Sequence, residues 1–199
     1  YKTNNINPSP KFAFIKGPVW DYGDQDMQEG IVDFVKNIHL DIVDVELDSI
    51  FSKAAKSHEI IMNGSIARSL YKYYENEKEK LHPFTVARIE AGIPVSSRDY
   101  IEAIENAKLM KKSLKEVFKN YDAIITPAAP GQAPRDLMNT GNAIFNGYWT
   151  MMGIPAISLP LLNGKNNLPI GVQIITSWEN DLDLLKISEF ILNKIKKTC

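Results

Sequence analysis

Three short apolar runs, at residues 123–126, 154–161 and 170–175, constrain this 199-residue chain more than anything else in its sequence. Each is bounded by proline or glycine: Thr126-Pro127, Gly153-Ile-Pro155, and Leu168-Pro-Ile-Gly171. Apolar runs of this length between such breakers read as buried strands, because a helix needs a longer segment to bury a face. Asn163-Gly164 lies between the second and third runs and reads as the turn joining two strands. The segment 141–152, between the first and second runs, is amphipathic and reads as a helix.

The rest of the chain supplies helices and two further strands. Residues 1–10, with Pro8 and Pro10, form an irregular lead-in, and Phe12-Ala-Phe-Ile15 is a short strand stopped by Gly17-Pro18. Asp24 or Asp26 can cap a helix in which Met27, Ile31, Phe34, Val35 and Ile38 recur at helical spacing. Residues 41–47 then read as a second strand, and strand–helix–strand favours a parallel pair with a right-handed crossover. Residues 48–120 are helical, with Ile50, Ala54, Ile60, Ile61, Ile66 and Leu70 as one apolar set. Ile101, Ile104, Leu109, Leu114, Val117 and Phe118 form a second set, after a start at Ser96-Ser-Arg-Asp99. A closing helix runs from Asp181 or Leu182 to about Lys196. The expectation is one α/β unit over residues 1–199, a mixed sheet flanked by helices, with a helical insertion between residues 11–47 and 121–199.

A hydrophobic content of 44% beside 24% charged residues fits a globular protein, and the net charge of −1 gives no electrostatic case for nucleic acid. No apolar run approaches the roughly 20 residues needed to span a bilayer. The single cysteine, Cys199, permits no internal disulfide, which agrees with a reducing, cytoplasmic setting. Asn63-Gly-Ser65 matches a glycosylation sequon, a triplet that is common by chance.

Candidates for chemistry are few. Ser96-Ser97 is an adjacent serine pair, but Ser96 three residues before Asp99 at a helix start is a capping pattern. His39, His58 and His82 show no ligand spacing and no Gly-x-Ser-x-Gly elbow accompanies them, so no metal is expected. Asn142, Phe145, Asn146 and Trp149 share one helical face, and two amides beside two aromatics suit a pocket for an uncharged amide or aryl group. The competing arrangement puts Ile144, Tyr148, Met151 and Met152 in the core, with Asn142 and Asn146 facing outward. The loop Thr126-Pro-Ala-Ala-Pro-Gly-Gln-Ala-Pro134 leaves the end of a strand, where ligand crevices in α/β sheets open. Gln173 is a polar residue within an apolar strand and requires partners if buried.

Read together, Asp122-x-Ile-Ile-Thr-Pro127, Thr140-Gly141, Gly153-Ile-Pro-Ala-Ile-Ser-Leu-Pro160 and Leu168-Pro-Ile-Gly-Val-Gln173 closely resemble the C-terminal third of the amidase signature family. The resemblance implies a carbon–nitrogen hydrolase working through a serine acyl-enzyme on a small carboxamide, without cofactor. It also implies that Asn142, Phe145, Asn146 and Trp149 contact substrate and that Gln173 supports them from behind. Similar enzymes carry their Ser–Ser–Lys triad and glycine loop upstream of the region this sequence matches, and no residue here is its counterpart. The expectation is therefore the C-terminal part of an amidase, without catalytic residues of its own and self-associating through exposed sheet edges. The family's glutaminyl amidotransferase subunit competes with a stand-alone amidase. Its members carry a Met-Tyr-x-x-Asp type segment where this chain has Thr140-Gly-Asn-Ala-Ile-Phe145, which favours the stand-alone enzyme. A binding or regulatory module that keeps half of the fold, and an unrelated histidine-dependent hydrolase, are the other readings.

Overall fold

The computed structural model describes residues 7–136 and 138–196, and it is an α/β fold with one mixed sheet. The strands are β1 (Lys11–Phe14), β2 (Asp41–Asp44), β3 (Ala123–Pro127), β4 (Ala156–Asn163) and β5 (Pro169–Ile175), in the order β2-β1-β3-β5-β4. β1 runs parallel to β2 and β3, while β5 is antiparallel to both β3 and β4. The helices are α1 (Gln25–Asn37), α2 (Ala54–Glu77), α3 (Pro83–Gly92), α4 (Ser97–Val117), α5 (Ile144–Met151) and α6 (Asp181–Lys196). The central strands read as apolar runs because they are covered: Phe12, Ala13, Ile124, Ile125, Ile174 and Ile175 are fully buried.

α1 lies against β3 and β4, burying Met27 and Ile31, one turn apart on one face. α6 lies against β4 and β5 and buries Leu184, Ile187 and Ile191. No helix among the described residues is long and apolar enough to cross a membrane.

The helical insertion differs from the pattern its isoleucines suggest. The residues α2 buries are Ala54, Ser57, Asn63 and Ala67, a seam of small and polar side chains. The bulky Ile60, Ile61 and Ile66 are only partly covered. Small residues let α3 and α4 approach closely, so close packing rather than side-chain bulk forms this contact. In α4 the inward face is Ala103, Ala107, Met110 and Leu114, which leaves Ile101 and Leu109 exposed. Asn63 of the sequon is buried, and its Oδ1 accepts a hydrogen bond from Arg88 at 3.3 Å, so no glycan can be attached to it in this fold.

Two strand boundaries also move. β2 stops at Asp44, four residues into the expected strand. β4 starts at Ala156, because Ile154 and Pro155 still belong to the turn ending α5. There Gly153 N–H donates to Thr150 O and Ile154 N–H to Trp149 O.

α2 also meets α5, and the contact is close at His58. Its ring lies 2.7 Å from where a Cβ on Gly147 would stand, so only glycine admits the imidazole there. Partial burial, helped by the nearby Arg88 charge and opposed by Glu59, holds the His58 pKa below its ordinary 6.5. The unfolded chain then takes up the proton at a higher pH than the folded one, so stability is lost as pH falls through about 6.5 toward the folded value. Urea unfolding at pH 7.5 and 5.5 is expected to show a larger loss for the parent protein than for His58→Gln. Equal losses would contradict this account of His58.

Candidate functional site

The antiparallel register fixes the chemistry of one end of the sheet. Thr126 of β3 pairs with Gln173 of β5, and Gln173 pairs with Ser158 of β4. Directly paired residues project from the same face, so the three form a polar row across adjacent strands. Ala128 follows on the same face, its N–H bonded to Gly171 O, and Gly171 lies two residues before Gln173. Ser158 of this row, with Ala128 and Gly171 beside it, makes the floor of a crevice of about 710 Å³, within the range of small-molecule sites. Its walls are the proline-rich loop after β3, the segment 139–143 and Asn146 of α5.

The walls are held by polar side chains acting on backbone. Asn142 Oδ1 accepts the N–H of Ile144 and Asn139 Oδ1 that of Gly141, at 3.0 and 2.9 Å. Gln132 Oε1 accepts the N–H groups of Asn166 and Leu168, tying the loop to the β4–β5 turn. The same turn is fastened to α1 by Asp26, which accepts from the Lys165 N–H and pairs with its ammonium at 2.7 Å. These bonds to Lys165 hold the Asp26 carboxyl below its usual pKa.

Of the sequence candidates, Asn142 and Asn146 line the crevice, whereas Phe145 and Trp149 are buried in the core at 0% and 1% exposure. Tyr148 and Met152 are buried as well, and α5 starts at Ile144 rather than Gly141, so Asn142 precedes the helix and does not share a helical face with Phe145, Asn146 and Trp149. Gln173 is buried beneath Asn146 and donates from Nε2 to Asn146 Oδ1 at 2.8 Å. Gln173 Oε1, Thr126 Oγ1, Tyr148 Oη and Trp149 Nε1 are buried without a partner among the described residues. Burial pushes the Tyr148 pKa up, and the neighbouring Thr126 and Trp149 side chains offset this only in part.

Sequence reasoning missed Asp24, Asn139, Ser158 and Gly171 as lining residues, and named Gln132 only within its loop. A signal existed for Gln132, a lone amide among the prolines of a strand-end loop. The others depend on register and loop closure, which no periodicity reports.

The nucleophile candidates lie elsewhere. Ser96 caps α4, accepting from Asp99 N–H at 3.1 Å and donating to Asp99 Oδ2 at 2.7 Å. His82 caps α3 through Nδ1, and His39 sits beyond α1 with a φ of 52°. Ser158 lines the crevice, yet no base is hydrogen-bonded to it among the described residues, and an unactivated hydroxyl is a poor nucleophile. Among those residues no three His, Cys, Asp or Glu side chains converge as a metal would require. A smaller hollow of about 480 Å³ opens at the other end of β1 and β3. Of its two carboxylates, Asp122 and Asp183, Asp122 already accepts from the Lys11 N–H and from Asn7.

The model of the Amidase family matches residues 9–185. The chain belongs to the amidase family. The curated relatives include the A subunit of Glutamyl-tRNA(Gln) amidotransferase from Brachyspira hyodysenteriae, 30% identical over 129 residues. That match takes in 58% of this chain and 27% of the relative. The protein of the same name from Saccharolobus solfataricus is 33% identical over 109 residues, 49% of this chain and 22% of that one. Among solved structures, one described as an amidase superposes with a TM-score of 0.79 at 16% identity, over 90% of this chain and 44% of its own. 6-Aminohexanoate cyclic dimer hydrolase superposes with a TM-score of 0.68 at 20% identity, over 89% and 44%. This amidase-family chain thus spans about a quarter of those curated relatives and just under half of those solved structures.

Gly171 gives the floor a direct test. A Cβ added there would stand 2.9 Å from the Ala128 Cβ and closer still to Ser158 Oγ. Gly171→Ala should destabilise the fold by about 1–3 kcal/mol through overpacking. For a chain of this size each kcal/mol lowers Tm by about 2–4 °C. An unchanged Tm would mean that the floor is looser than described.

Proposed function

We propose that this chain forms the substrate-pocket wall of an amidase that hydrolyses a small carboxamide, and that it contributes no catalytic residue. The observation that carries the reading is the crevice itself. Asn139, Asn142 and Asn146, the last held from below by the buried Gln173, form an amide-lined surface at a strand-end site, whereas Ser96 is engaged as a helix cap in another part of the molecule. Amide groups can reproduce the hydrogen bonds that an amide substrate loses on leaving water, without the desolvation cost of a charged partner. Phe145 and Trp149, fully buried behind Asn142 and Asn146, support the wall by packing. In this reading the acyl-enzyme nucleophile and its base come from polypeptide beyond the described residues.

A second reading has a specific observation behind it. The curated relatives at 30% and 33% identity are both amidotransferase proteins of one name, which favours that branch of the family over a stand-alone amidase. The wall chemistry suits either, since both would hold a carboxamide.

The purified polypeptide is to be incubated with acetanilide and with a serine-directed fluorophosphonate, and its backbone amides followed by NMR. The expected result is no turnover and no covalent labelling, with acetanilide-dependent shifts confined to residues 128–146 and to Asp24, Ser158 and Gly171. Turnover that disappears on substitution of His58, Ser96 or Ser158 would overturn the proposal. So would shifts located outside the crevice.

A further inference from the structure

The amides around the crevice all have their oxygen engaged inward. Asn139 Oδ1 is held by the N–H of Gly141, Asn142 Oδ1 by that of Ile144, and Gln132 Oε1 by those of Asn166 and Leu168. A backbone N–H can only face an acceptor, so the orientation of these three side chains is fixed. Asn146 Oδ1 is taken by Gln173 Nε2. The NH₂ groups of Asn139, Asn142 and Asn146 are therefore left as donors without a partner among the described residues, whereas the Gln132 amide packs against Gly164 of the β4–β5 turn. The crevice presents a set of hydrogen-bond donors on its walls.

Charge narrows the ligand further. Among the described residues no lysine or arginine lines the crevice, and the ionisable group that does is Asp24. A carboxylate entering here would lose water, gain only neutral donors and face a like charge, which is unfavourable. A cation would meet Asp24 but would oppose the donor groups. The matching species is uncharged, has two or more carbonyl oxygens for the amide donors, and carries an N–H that Asp24 can accept. We infer that the crevice recognises an uncharged carboxamide bearing a second carbonyl group, read by the NH₂ groups of Asn139, Asn142 and Asn146.

This inference rests on the amide-site reading above, and the experiment separates the two. Isothermal titration calorimetry of the polypeptide compares glutaramide, glutarate and 1,5-diaminopentane, which share a five-carbon frame. Glutaramide is expected to bind at least about tenfold more tightly than either of the others. Asn139→Asp and Asn142→Asp keep an oxygen for the Gly141 and Ile144 N–H groups but replace the outward donor with an acceptor. Each should weaken glutaramide binding by about fivefold or more, the worth of one neutral hydrogen bond, with Tm essentially unchanged. Tighter binding of glutarate or the diamine would overturn the inference, as would unaltered glutaramide affinity in both variants. If glutaramide does not bind while acetanilide still shifts the crevice resonances, the inference fails and the amide-site reading stands. If neither ligand acts at the crevice, both fail.

Discussion

The pairing of β5 with β3 on one side and β4 on the other is the constraint on which the site depends. It stacks Thr126, Gln173 and Ser158 on one face and sets Gly171 beside Ala128 as a floor without bulk. A slip of one residue would turn Gln173 to the opposite face and put Val172 or Ile174 in its place. The crevice would then have an apolar floor and Asn146 would lose its partner. Cross-links around the sheet oppose such a slip. Gln132 and Asp26 both hold the β4–β5 turn, one from the proline loop and the other from α1.

That dependence explains what could be read from the sequence. The central strands are buried on both faces, so they appear as uninterrupted apolar runs between prolines and glycines, and 123–126 and 170–175 lie within one residue of the observed strands. The Ser96 cap was legible because it is made within four residues of chain. The packing of α2 and α4 was not, because what these helices bury includes Ala54, Ala67, Ala103 and Ala107, residues that carry little hydrophobic signal. Exposed Ile101 and Leu109 carry a strong signal and point the other way. At the site, Asn142, Asn146 and Gln173 stood out as polar residues in apolar surroundings. Asp24, Asn139 and Ser158 become neighbours only after distant segments meet, and no local pattern announces that.

The buried groups behind the wall set the energetic stakes. Gln173 donates to Asn146, while its own Oε1 and the Thr126, Tyr148 and Trp149 polar atoms stay unpaired among the described residues. Removing Asn146 would leave the buried Gln173 amide without its partner, at a cost of about 1–3 kcal/mol.

The Gln173–Asn146 bond is where sheet register becomes wall chemistry, so its strength tests the account most directly. A double-mutant cycle with Gln173→Met and Asn146→Leu, read by urea unfolding, measures it. A coupling free energy of about 1 kcal/mol is expected for a part-buried amide pair held by the sheet. Additivity of the two substitutions to within about 0.3 kcal/mol would contradict it.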